Sequence, residues 1–307
     1  MSIYTPVDAD TLQQILNQYQ AGTLVGYEIL PGGAVNTNYS VLTDKGHFVL
    51  TLFESLSSEE ASQFLSLLNW LTEQKMPGAK PYQTENGQWL DTAFRRPCSL
   101  VSFLSGTHPA CPRPGQCEAI GTYLGQLHSL NNPPPLPKEA FDFEARTKTA
   151  RLIAPMLSKK SAALLDAALA FDRPFEAELP CGLLHGDLFR DNSLFEGDHL
   201  IGVIDFYFAF TGPYLFDLAI VLNDWACTST GKCHTKRAQL ILNSYEKIRP
   251  LTTKERALLG PYRILAALRF WLSRLEANLL PQGGTQLPIR DPTVFESRLK
   301  ALLEFYS

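Results

Sequence analysis

The segment LLHGDLFRDNSLF places His185, Asp187 and Asn192 between two short apolar runs, and VIDF follows with Asp205. Asn192 lies five positions after Asp187, and Asp205 thirteen after Asn192. Phosphoryl transfer needs such a set. One carboxylate orients the attacking hydroxyl and accepts its proton, while amide and carboxylate oxygens hold Mg²⁺ on the phosphates. The catalytic loop H-R-D-x-x-x-x-N has the same five-residue interval from aspartate to asparagine, with a metal-binding aspartate on the strand that follows. On this spacing Asp187 is the base, and Asn192 and Asp205 are the metal ligands. Aspartate and asparagine are common in turns, so it is the order of the three that carries the reading.

The surrounding elements have to position that loop. The apolar runs on either side read as two short strands, with EGDH as the turn before Asp205. Upstream, Tyr39–Thr43 and His47–Phe53 read as a hairpin joined at Asp44-Lys45-Gly46, Gly46 supplying a left-handed φ. One helix is expected in the first third. It is capped by Ser57 with Glu60 three residues on, and Ala61, Phe64, Leu65, Leu68 and Leu71 face inward. After Gly106 the pattern becomes helical: CEAIGTYLGQLHSL, the region 150–170, YLFDLAIVLNDW and the long RALLGPYRILAALRFWLSRLEANLL. The economical division is a β-rich lobe over residues 1–104 and a helical lobe over 105–307, an α+β chain with a small-molecule cleft expected at the junction.

The chain has 307 residues, 27 basic against 31 acidic, and a net charge of -4. That balance argues against a nucleic-acid partner. With no secretory h-region and no apolar run near 20 residues, the expectation is a cytoplasmic protein with no membrane partner. The six cysteines are scattered through a long chain and are expected to be reduced thiols. Cys227-x5-Cys233-His234 lacks the paired spacing of a structural zinc site.

HGDLFRDN, VIDF and GPYLFDLA together resemble the aminoglycoside-phosphotransferase-like and choline-kinase-like kinases. NTNY, FVLTLFE, DFYFAF, LNDW and LRFWLSRL are similar, more narrowly, to bacterial homoserine kinases of that fold. The resemblance covers nearly the whole chain. It implies a two-lobed protein-kinase-like fold, ATP and Mg²⁺ as cofactors, and L-homoserine as the small-molecule acceptor, phosphorylated on its hydroxyl for threonine biosynthesis. It assigns Gly32, Gly33, Asn36, Thr37 and Asn38 to a nucleotide-covering loop, and it gives His185 and Asp217 bracing roles. Thr51 occupies the third-strand position where kinases of this fold carry a lysine. A zwitterionic acceptor calls for a guanidinium and an amide or carboxylate, and Arg263, Arg269, Arg274, Asn223 and Asp224 are the candidates. Two other readings keep the motif. One is a kinase for an amino alcohol, aminoglycoside or methylthioribose; the other, prompted by Thr51, is a catalytically silent nucleotide binder.

Overall fold

The structure is a computed structural model that describes residues 5–30, 36–139, 141–174, 178–228, 230–280 and 290–306. The chain divides into two compact units that part between Ser105 and Gly106.

In the first unit, β1 (Leu24–Ile29), β2 (Thr37–Thr43), β3 (Gly46–Leu52), β4 (Asp91–Ala93) and β5 (Arg96–Ser102) form one antiparallel sheet in the order β1-β2-β3-β5-β4. Alternation along β2 and β3 sends Tyr39, Val41, Leu50 and Leu52 into the core. Gly46 opens β3 opposite Thr43 and lies outside the left-handed region, so the turn is Asp44-Lys45 alone and the φ expected of Gly46 is not needed. The helix α2 (Ser58–Glu73) carries the expected capping box, Ser57 N–H donating to Glu60 Oε2 (2.8 Å). Leu67 joins its buried side, whereas Phe64 is half-buried.

A second helix, α1 (Ala9–Gln18), was not expected. Its amide-rich sequence hides the pattern, but Asp8 caps it by accepting the Thr11 N–H (2.8 Å), and Leu12, Ile15 and Leu16 are buried in the sheet's core.

The second unit is helical around two ribbons. Its helices are α3 (Pro114–Leu127), α4 (Phe143–Ile153), α5 (Lys159–Leu169), α6 (Tyr214–Trp225), α7 (Thr235–Ile248), α8 (Thr253–Leu279) and α9 (Thr293–Tyr306). The region 150–170 is therefore split at Ala154–Met156, which contains Pro155. The ribbons pair β6 (Cys181–Leu184) with β9 (Phe210–Pro213), and β7 (Ser193–Glu196) with β8 (His199–Val203). Leu215 to Trp225 of α6 and Tyr262 to Leu272 of α8 are buried throughout. A helix apolar on every face belongs inside the core. Helices α3 and α7 approach so closely that a side chain at Gly121 would strike the Ile241 carbonyl.

Among the cysteines, Cys227 and Cys233 form a disulfide across a local bridge, with Cα atoms 4.1 Å apart. This corrects the expectation of six free thiols. Counting cysteines over a long chain does not reveal that a bridge between positions six apart sets two of them face to face. No helix among the described residues is long and apolar enough to cross a membrane.

Candidate functional site

Strand β6 ends at Leu184, and residues 185–192 form a loop that closes in a 3₁₀ turn, Arg190–Asn192, before β7 begins. Three features pin this loop. The Asp217 carboxylate, fully buried on the first turn of α6, accepts the N–H of His185 (2.6 Å) and of Gly186 (2.8 Å). His185 donates through Nε2 to the Ile204 carbonyl (3.0 Å) and accepts the Asp187 N–H at Nδ1 (3.2 Å). That pair of bonds requires the neutral ring, and burial lowers its pKa to match. The Arg190 N–H and guanidinium, finally, donate to Asp224 at the end of α6 (2.9 and 3.0 Å).

Gly186 has φ of +76°, and a side chain there would collide with the Phe208 carbonyl. Gly186→Ala should therefore destabilise the fold by roughly 2–3 kcal/mol, from left-handed strain plus a backbone clash. An unchanged urea midpoint would show that the Phe208 carbonyl gives way freely.

The loop brings the motif's oxygens together. Asn192 Nδ2 donates to the Asp187 carbonyl (2.7 Å) and to its Oδ2 (3.2 Å), which leaves Asn192 Oδ1 without a hydrogen bond among the described residues. The Ile204 N–H donates to the Asn192 carbonyl (3.0 Å), and this bond sets Asp205 beside the loop. Asp205 has φ of +67°, the left-handed region that non-glycine residues rarely adopt, and its carboxylate makes no hydrogen bond or ion pair among the described residues. Burial pushes the Asp187 carboxyl up to about 7; Arg269 and Arg290 oppose that rise, and the charges of Asp205 and Asp191 add to it. Burial likewise raises Asp205 to about 6, opposed by Arg290. Two adjacent carboxylates and an amide oxygen suit a hard cation such as Mg²⁺, which binds through one or two carboxylates and completes its shell with water and phosphate. No group of three or more His, Cys, Asp or Glu that could hold a metal alone occurs among the described residues.

The bracing continues behind Asp217. Arg249 donates to the Tyr245 hydroxyl (2.9 Å), which meets His128 Nδ1 (2.9 Å), and His128 Nε2 faces Asp217 Oδ2 (3.5 Å). Burial works against the Asp217 charge, yet the His128 hydrogen bond, the nearby rings and the loop N–H together hold its pKa below the usual value.

Several expected ligand residues have other partners. Asn223 and Arg263 bond each other: Nδ2 donates to the Arg263 carbonyl (2.7 Å) and Nε to Asn223 Oδ1 (3.0 Å), while Arg263 Nη2 reaches Cys227 and Cys233. Asp224 is held by Arg190 and Arg298 (3.0 Å). All three are thus engaged by neighbouring side chains in this structure. Arg274 donates to the Asp291 carbonyl (2.8 Å) and lies over Phe295. Arg269 stays beside Asp187.

In the first unit, Thr37 is fully buried and donates to Glu54 Oε1 (2.6 Å). Asn36 is buried, and its Oδ1 meets the Glu54 N–H (3.4 Å). Thr51 donates to Asn38 Oδ1 (2.7 Å) across β2 and β3. Gly32 and Gly33 lie outside the described residues. Arg190, Glu139 and Arg290 were missed. Arg190 sits inside the motif and could have been suspected; Glu139 lies in a proline-rich stretch and Arg290 about a hundred residues downstream, with no local signal.

Residues 26–251 match the phosphotransferase enzyme family. The chain belongs to that family. This phosphotransferase is 40% identical over 98% of its length to a homoserine kinase of Methylobacillus flagellatus, covering 95% of that protein. It is 35% identical over 98% of its length to a homoserine kinase of Neisseria meningitidis serogroup B, covering all of it. It is thus a small-molecule kinase of the homoserine-kinase-like kind. Among solved structures it resembles a spectinomycin phosphotransferase in complex with ADP and spectinomycin (TM-score 0.72, 15% identity, 98% of each chain). It also resembles a microcompartment-associated aminopropanol kinase (TM-score 0.72, 17% identity, 97% of each chain). The α+β, protein-kinase-like fold anticipated from the motifs is the fold of the chain.

Proposed function

We propose that the chain transfers the γ-phosphoryl group of ATP to the side-chain hydroxyl of L-homoserine, giving ADP and O-phospho-L-homoserine for threonine biosynthesis in the cytoplasm. The observation that carries the chemistry is the meeting of Asp187 and Asn192 on one loop with Asp205, just past the end of β8. The acceptor rests on full-length relatives called homoserine kinases.

In this reading the Asp187 carboxylate orients the hydroxyl and takes its proton, and its raised pKa suits a base working near neutrality. Asn192 Oδ1 and the Asp205 carboxylate would hold Mg²⁺, which when bound would offset the charge developing on the phosphoryl oxygens. Asp217, His185 and Arg190 fix the loop so that no rearrangement is needed during transfer. Asn38 and Thr51 serve the nucleotide.

The test is ATP turnover, with and without EDTA, on L-homoserine beside L-serine, L-threonine, choline and an aminoglycoside. Expected are a preference for L-homoserine of at least about 100-fold in kcat/KM and loss of turnover when divalent cations are removed. Equal use of choline or the aminoglycoside would overturn the acceptor. Nucleotide binding without any phosphorylated product would favour a silent binder.

A further inference from the structure

An amino-acid acceptor must bring its carboxylate close to Asp187, and a carboxylate leaving water needs a cation with free donors. Of the three candidate arginines on α8, Arg263 is engaged on all sides by Asn223, the two sulfurs and Tyr306. Arg274 is bonded to the Asp291 carbonyl and stacked on Phe295. Arg269 differs from both. It is 6% exposed and makes no hydrogen bond among the described residues. Its Nε faces Glu139 Oε1 at 3.7 Å, too far for one.

A guanidinium offers five N–H donors, and leaving them unpaired inside a protein is costly unless a ligand completes them. The charge itself is supported from behind. Glu139 lies between Arg269 and Arg146 (3.4 Å), and Arg146 is paired with Asp172 (2.9 Å). This alternating row holds Arg269 in place without using its donors. Its location also fits. Phe270, the next residue, packs edge-on against Phe189 of the catalytic loop with ring centroids 4.6 Å apart, two residues from Asp187.

We infer that Arg269 is the specificity-determining residue for the acceptor: its free N–H groups pair with the carboxylate of the amino acid and so reject amino alcohols that lack one. The inference rests on the reading of the chain as an amino-acid kinase. The experiment compares L-homoserine with 3-amino-1-propanol, the same molecule without its carboxylate, in the wild type and in Arg269→Gln. The variant should lose roughly 100-fold in kcat/KM on L-homoserine, mainly through KM, with KM for ATP and activity on aminopropanol changing only a few-fold.

An equal loss on both acceptors would overturn the inference and assign Arg269 to the phosphoryl group or the framework. An unchanged preference for L-homoserine would overturn it as well. If Arg269→Gln fails to fold because Glu139 loses its partner, Arg269→Gln with Glu139→Gln removes both charges and is read in the same way. A wild type that leaves L-homoserine untouched rejects the acceptor assignment itself, an outcome distinct from a selective wild type whose variant stays selective.

Discussion

Asp187→Asn should lower kcat by about 10³–10⁴-fold with ATP binding nearly unchanged, and the inactive protein should be more stable than the wild type at pH 8. The first half follows from chemistry: an amide has nearly the shape of the carboxylate and can still accept the Asn192 Nδ2–H, but it cannot take the hydroxyl proton. The second half follows from burial. In the metal-free protein the Asp187 carboxyl titrates at about 7, far above its unfolded value, so the folded state binds more protons between roughly pH 4 and 7. Stability then falls as pH rises through that window, and above 7 the full penalty of a buried carboxylate remains. Asparagine has no such penalty. The variant should gain about 1–3 kcal/mol at pH 8, several degrees in Tm, and the gain should vanish near pH 4. Thermal unfolding at several pH values without divalent cations, beside initial rates with them, reads both halves. Near-normal turnover would remove Asp187 from its role, and a lower Tm at pH 8 would show that burial does not strain this carboxylate.

The same electrostatics explain which parts of the site were legible in the sequence. Asp187, Asn192 and Asp205 could be read because one loop and one hairpin fix their separation, so linear spacing stands in for geometry. The YLFDLAIVLNDW helix was legible because so predominantly apolar a helix has one destination, and it spans those same residues, Tyr214–Trp225. The partners that balance these charges were not. Glu139 and Arg269 lie 130 positions apart, and Arg290, beyond the end of α8, reaches the catalytic loop through Asp191 (3.6 Å). No local rule couples such positions, because only packing decides which charges must be neutralised together. Asn223, Asp224 and Arg263 have the chemical types an acceptor needs, and the hydrogen bonds that engage them are tertiary. For α1 the signal existed in Asp8 and the spacing of Leu12, Ile15 and Leu16, obscured by its glutamines.

Asp217 is where fold and chemistry depend on one side chain, and Asp217→Asn should reduce both stability and turnover. Its two oxygens accept three donors: the N–H of His185 and of Gly186, and His128 Nε2. An asparagine keeps one oxygen and turns an NH₂ group toward a buried N–H, so a hydrogen bond becomes a clash between donors in a site with no solvent. Removing a charged acceptor from buried donors costs about 2–4 kcal/mol, or roughly 5–10 °C in Tm for a chain of this kind. The loop it releases carries Asp187, so kcat should fall by at least about tenfold with a smaller change in KM for ATP. The pH dependence separates this case from that of Asp187. The folded Asp217 pKa lies below the ordinary value, so its stabilisation is complete above the unfolded pKa and is lost only as pH falls through the lower, folded one. The gap in Tm between wild type and variant should therefore stay constant from pH 5 to 9, whereas that for Asp187→Asn changes across the same range. A gap that closes between pH 5 and 7 would mean that Asp217 is protonated there, and that the loop is held by something other than its charge.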